Sequence, residues 1–208
     1  SALKDVNGDF SGVIYDENAQ TLTLFRDHMG IRPLYYYADN SFMAFSTDIR
    51  GLLGLDGVDS SLNEDWIYRT LSGYFVDSVT STEYQNIFCV SPASYITFSI
   101  KNEKISQEIH SYWQLGKKKI HYTSFELYKA KLKELVTDSI QRRLQAIPGK
   151  AGAELSGGLD SGVIGILIHR LGRDCVYFSW SVDPNEIPYA DHDERLIIKD
   201  ICKQEHIQ

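Results

Sequence analysis

The stretch Leu155-Ser156-Gly157-Gly158-Leu159-Asp160-Ser161 joins a short β-prone run at residues 153–155 to a helix-prone run at residues 160–171. A strand that feeds a helix through a glycine-rich turn belongs to a parallel, right-handed crossover unit, so this part of the chain must be α/β. The alternation continues with a predicted strand at 176–182 and a predicted helix at 191–205. Upstream, Thr123-Ser124-Phe125-Glu126 has the form of a capping box. Phe125, Tyr128, Leu132, Leu135, Val136, Ile140 and Leu144 then recur at three- and four-residue steps, which predicts an amphipathic helix ending before Pro148-Gly149.

The turn itself is built for an anion. Gly157 and Gly158 permit positive φ and bring backbone N–H groups close to a ligand with no Cβ in the way. Ser156 and Ser161 add hydroxyls, and the helix that starts here carries roughly half a positive charge at its N-terminus. Asp160 is out of place beside phosphate unless a cation sits between them. Mg²⁺ uses one or two carboxylates together with phosphate oxygens, which makes Asp160 the metal-ligand candidate. The alternative is a Ser-Gly-Gly turn in which Asp160 merely caps the helix. No Lys follows the glycines, so this is not the GxxxxGK[ST] loop.

The first half of the chain is β-rich. Runs at 10–15, 21–25, 34–37 and 42–45, separated by turn residues, predict an antiparallel meander. Helical patches at 47–53 and 63–71 follow, then strands at 87–90, 94–100 and 105–112, with a hairpin about Lys101-Asn102-Glu103. The character changes after Gly116, which places a domain boundary within 115–122.

The net charge of -7 argues against a nucleic-acid partner, the densest basic run being Lys117-Lys118-Lys119. The longest apolar run, 163–168, falls far short of the ~20 residues that span a bilayer, and no charged-then-apolar leader opens the chain. No membrane association is expected, and the location is read as cytoplasmic. Cys89, Cys175 and Cys202 show no CxxC spacing and read as reduced, buried thiols, with neither disulfide nor structural zinc.

Ser156-Gly157-Gly158-Leu159-Asp160-Ser161 resembles the SGGxDS loop of ATP pyrophosphatases, a family that includes asparagine, GMP, NAD and argininosuccinate synthetases. Arg26-Asp27-His28-Met29-Gly30-Ile31-Arg32-Pro33-Leu34-Tyr35-Tyr36 resembles the RDxxGIxPLYY segment of class II glutamine amidotransferases, and residues 7–16 resemble the GxFAFAIYD strand before it. Physically, Arg26 and Asp27 are expected to pair at a strand end, and Gly30 with Pro33 to set a reversal; no catalytic role is assigned to them. The order of the two segments is that of asparagine synthetases. The resemblance implies a β-rich glutaminase domain of the N-terminal nucleophile type over 1–115, followed by an α/β parallel-sheet ATP pyrophosphatase domain over 123–208.

It further implies an ATP-dependent amide ligase. Mg-ATP adenylates a carboxylate, aspartate first among the choices, pyrophosphate leaves, and ammonia from glutamine attacks. Ser156, Gly157, Gly158, Leu159, Asp160 and Ser161 would hold the triphosphate, with Asp160 on Mg²⁺. Phe178-Ser179-Trp180-Ser181-Val182 is similar to the family's FSxGF strand, which puts Leu155 and Trp180 on the adenine side, core packing being the alternative for each. Asp193-Glu194 matches an acidic pair read as a helix N-terminal charge effect ahead of a ligand contact. Homodimeric assembly is a further implication.

The departures are specific. The family's glutaminase nucleophile is a cysteine at the mature N-terminus, and Ser1-Ala2-Leu3 offers none, so no glutamine hydrolysis is expected of this chain. Residues 206–208 stop before the family's second metal carboxylate and its aspartate-binding residues, as in an internal piece inactive alone. Gly162 replaces a Ser, removing a hydroxyl near the phosphates. β-Lactam synthetases and lasso-peptide cyclases share the loop and stand as alternative relatives; a non-catalytic nucleotide-binding module is another.

Overall fold

The computed structural model describes residues 2–74, 79–101, 104–117, 119–180 and 193–207, and the chain divides into two compact units, Ser1–Lys118 and Lys119–Gln208. In the first unit β1 (Ser11–Asp16) and β2 (Thr21–Arg26) form a hairpin, and β2 pairs on its other side with β6 (Ser94–Lys101), which pairs with β7 (Lys104–Ser111). A second antiparallel sheet places β3 (Tyr35–Ala38) between β4 (Met43–Ser46) and β5 (Ile87–Cys89). The single meander expected over 10–45 is therefore two hairpins in two sheets. The chain changes sheet between Arg26 and Tyr35, in the segment with its own hydrogen-bonded turn described below. The tip of the β6–β7 hairpin at Asn102-Glu103 lies outside the described residues.

Period-two alternation decides which face each β3 side chain takes. Tyr36 joins Leu24, Leu34, Val90, Ile96 and Phe98 in the core between the two sheets, its ring centroid 5.5 Å from that of Phe98. Tyr37 points the other way, toward Ile87 and Leu52 of α1 (Ile49–Leu53). Sheet, sheet and helix thus stack as three layers. Leu24, Leu52, Ile87 and Val90 are wholly buried, and each such side chain contributes about 1.5–3 kcal/mol. Asp48 caps α1, and Asn63 caps α2 (Glu64–Leu71) by accepting the Trp66 N–H at 3.2 Å.

The second unit runs α3 (Phe125–Gln145), β8 (Ala151–Glu154), α4 (Leu159–Arg170), β9 (Cys175–Phe178) and α5 (Glu194–Glu205). β8 and β9 are parallel, with Ala151 opposite Cys175 and Glu154 opposite Phe178. Ile140, Leu144, Ala151, Leu167 and Ile168 form the core. Arg170 of α4 grips Glu205 of α5 through two hydrogen bonds of 2.8 and 2.6 Å.

Three expectations change here. The cap of α3 is Ser124, whose hydroxyl accepts the Leu127 N–H, and not Thr123, so the reciprocal capping box does not form. Of the α3 apolar ridge only Ile140 and Leu144 are buried, while Phe125, Leu132 and Leu135 are 77%, 64% and 53% exposed. A helix of 21 residues outruns the 12-residue α4 it packs on, by ~14 Å at 1.5 Å per residue. Cys89 is buried as expected, but Cys175 and Cys202 are only half-buried; all three are free thiols. The expected strand end at 181–182 and helix start at 191 lie outside the described residues.

Candidate functional site

The end of β8 and the first turn of α4 create the loop in one step. Leu155 leaves the strand but still donates its N–H to the Phe178 carbonyl of β9 at 2.8 Å. Its side chain is 2% exposed and lies against Gly165, where an added Cβ would come within 3.0 Å of Leu155 Cδ1. The Leu155 side chain thus packs against α4. It also borders a cavity of about 370 Å³ shared with Phe178, Ser179, Ile198 and Cys202. Trp180, by contrast, is 94% exposed.

Within the loop, side-chain oxygens collect backbone donors. Ser156 Oγ and Ser161 Oγ lie 2.6 Å apart; the Ser156 N–H donates to Ser161 Oγ at 3.1 Å and the Gly158 N–H to Ser156 Oγ at 3.1 Å. The Gly157 N–H is met from outside the loop, by Glu194 Oε2 at 3.3 Å. The first α4 bond runs from the Gly162 N–H to the Gly158 carbonyl at 3.1 Å, which leaves the amides of Leu159, Asp160 and Ser161 as the orphan donors of a helix start. Orphan amides at a helix start are the donors that an anion takes up.

Gly157 is required for space, and neither glycine for positive φ. Gly158 sits at φ -73, ψ 151 as the cap residue of α4, and neither it nor Gly157 is among the positive-φ glycines. A Cβ on Gly157 would meet Glu194 Cγ at 2.9 Å, Cβ at 3.0 Å and Cα at 3.2 Å. Because Gly158 holds the cap position, Asp160 is not the cap. It stands in the first turn of α4, exposed, and among the described residues its carboxylate has no hydrogen-bond partner. An exposed carboxylate in the first turn is favoured by the helix dipole, and it is open to a cation. Gly162 is buried on the side of α4 facing α5, where an added Cβ would meet Ile201 Cδ1 at an ordinary 3.7 Å. The hydroxyl that a Ser would place there starts from α5's side of the helix.

Asp193 caps α5 by accepting the Arg195 N–H at 2.9 Å and pairs with the Arg195 guanidinium at 2.9, 3.0 and 2.5 Å. Arg195 is 9% exposed. Asp193 thus performs the helix-start role expected of the acidic pair. Glu194 does something sequence reasoning missed: it crosses to the loop 156–161. Its place directly after the cap of the neighbouring helix was the available signal.

In the first unit, the Arg26–Asp27 pair expected from sequence does not form. Asp27, 1% exposed, accepts the N–H groups of Met29, Ile31 and Arg32 at 3.1, 3.0 and 3.0 Å. Burial pushes its carboxyl up, and the hydrogen bonds from Arg32, Ile31, Met29 and Gly30 outweigh it, holding the group below the usual 3.8. Arg26 instead donates to the carbonyls of Arg32, Val90 and Gly30 and to Cys89 Sγ. Gly30 takes φ 68, and a Cβ there would strike Pro92 Cγ at 2.8 Å. This turn is a backbone clasp.

Residues 1–113 match the profile of the glutamine amidotransferase domain and residues 131–208 that of asparagine synthase. Over 98% of its length the chain is 28% identical to a putative glutamine-hydrolysing asparagine synthetase 2 of Methanocaldococcus jannaschii, of which it covers 39%. It is 30% identical over 76% of its length to asparagine synthetase 3 of Bacillus subtilis, covering 25% of that protein. Amidase chry2 of Gibberella zeae is 30% identical over 82% of the chain, which covers 25% of it. The chain spans about two fifths of the length of the first relative and a quarter of the other two.

Proposed function

The chain belongs to the glutamine-hydrolysing asparagine synthetase family, and from that premise we propose that its loop 156–161 binds the triphosphate of ATP for an amide ligase. The supporting observation is the loop's place, at the carboxyl end of a parallel strand and the N-terminus of α4, with backbone amides and two serine hydroxyls converging there.

Ser156, Gly157, Gly158, Leu159 and Ser161 would surround the phosphates, and Asp160 would hold Mg²⁺, which when bound would supply charge neutralisation for the pyrophosphate. Leu155 and Trp180 lie on the adenine side. Leu155 borders the apolar cavity beside β9, and Trp180 offers an exposed ring beyond the end of that strand. The loop orients the α-phosphate toward a carboxylate, which becomes an adenylate; aspartate is the proposed acceptor and ammonia from glutamine the nucleophile. Orientation and charge stabilisation are what such a loop contributes to the barrier. Residues 1–115 constitute the amidotransferase domain and 123–208 the synthetase domain, in a cytoplasmic homodimeric enzyme that engages neither nucleic acid nor membrane.

Calorimetric titration of Mg-ATP into the 208-residue chain, beside Gly158→Asp, is the test. Saturable binding that the substitution abolishes is expected, since it sets a side chain and a negative charge in the phosphate volume. Equal binding by both proteins would remove the loop from the nucleotide site. Trp180, the one tryptophan after Trp113, gives a second readout: quenching by ATP and not by pyrophosphate is expected of a ring on the adenine side.

A further inference from the structure

The Glu194 side chain occupies the position from which a phosphate oxygen would take the Gly157 amide. Its Oε2 accepts that N–H at 3.3 Å, and its Cβ and Cγ lie so close over Gly157 that no other residue type fits there without displacement. The helix under it is capped at one end and tied to α4 at the other. Asp193 caps α5 and clasps Arg195 through its side chain, and Arg170 anchors the far end of the same helix at Glu205. The movable part is the exposed Glu194 side chain itself.

We propose that Glu194 is a built-in stand-in for phosphate: in the empty loop its carboxylate satisfies the Gly157 N–H, and triphosphate binding drives it out. The proposal rests on the nucleotide reading of the loop. One N–H serves one strong acceptor, and two anions brought to the same donor repel each other, so occupation by phosphate and by this carboxylate exclude one another. Two consequences follow. The loop stays formed without ligand, because the Ser156, Gly157 and Gly158 amides are not left bare. An incoming anion must outcompete a tethered one, which raises the threshold for singly charged anions and favours a polyphosphate that engages Gly157, Gly158 and the α4 amides together.

Glu194→Gln keeps the size and the amide contact and removes the charge. With wild type alongside, calorimetry with pyrophosphate and with Mg-ATP is expected to show about tenfold tighter binding to the variant, a gain of roughly 1.4 kcal/mol that shrinks in 1 M salt. In the ligand-free proteins the Gly157 amide resonance is expected to shift on substitution, and in wild type to shift again when pyrophosphate is added. Thermal unfolding of both proteins checks that the fold is kept, and Glu194→Asp, which shortens the reach, is expected to fall between them. Equal affinities in wild type and Glu194→Gln would overturn the stand-in while leaving the loop as the phosphate site. A variant bound fivefold more weakly would do the same and make Glu194 a contributor to the bound state. An unmoved Gly157 resonance would remove the contact itself. No binding by either protein would overturn the loop reading and the stand-in with it.

Discussion

The turn after β2 and the loop after β8 meet the same problem from opposite sides. Each leaves a strand with backbone N–H groups that turn to side-chain acceptors. In the first the anion is part of the chain: Asp27 is buried and takes three amides. In the second, serine hydroxyls and a carboxylate reaching over from another helix hold the amides. A permanent anion makes a structural clasp, and a displaceable one leaves room for a ligand. On the proposed reading of the loop, similar local geometry serves stability in one turn and binding in the other, and the burial of the acceptor is what separates them.

The sharpest way to break the clasp is Asp27→Asn, which replaces a charged acceptor of three amides by a single carbonyl and turns an NH₂ toward a donor. A loss of about 2–4 kcal/mol is expected in denaturant unfolding of the first unit, followed through Trp66 and Trp113. The same residue gives a pH signature. Its native carboxyl is held below 3.8, so its stabilisation is complete above that value and disappears as pH falls through the lowered native one. Acid unfolding of Asp27→Asn is accordingly expected to show a shallower slope. Some slope remains, because Asp39 is also held down to about 2 by hydrogen bonds from Phe42 and Ser41.

Gly30→Ala tests the glycine of the clasp at φ 68 and is expected to cost about 1–3 kcal/mol, read as a lower denaturation midpoint at constant slope. At the other loop, Gly162→Ala places a methyl where 3.7 Å of space to Ile201 is available inside a helix. A gain of about 0.5–1 kcal/mol in the second unit is expected, with nucleotide affinity unchanged. Lost affinity would place residue 162 inside the phosphate volume after all.

The loop 156–161 was legible because strand, glycines and helix start are contiguous in sequence, so local pattern alone carries them. Most strands and the two short helices of the first unit were legible for the same reason. What could not be read was which strands neighbour one another. The hairpins β1–β2 and β3–β4 look identical to one continuous meander until β6 inserts beside β2. Arg26 and Asp27 are adjacent opposite charges, and nothing in that adjacency says that both spend their hydrogen bonds on the backbone and a thiol. Glu194 lies 37 residues from Gly157, a contact that sequence periodicity does not encode. The apolar ridge of α3 was correctly placed, but its burial depends on the length of the helix opposite.

The insertion of β6 beside β2 also has a meaning in time. Thr23 and Thr97 meet through their hydroxyls across 74 residues of chain. During synthesis, the first sheet cannot close until residue 97 and its neighbours have left the ribosome. Until then the β1–β2 hairpin holds an unpaired edge and an uncovered Leu24. Non-local pairing of this kind slows folding because the loop must be closed before any contact rewards it. The second unit's β8 and β9 pair Ala151 with Cys175, a far shorter loop, and can assemble soon after they are made.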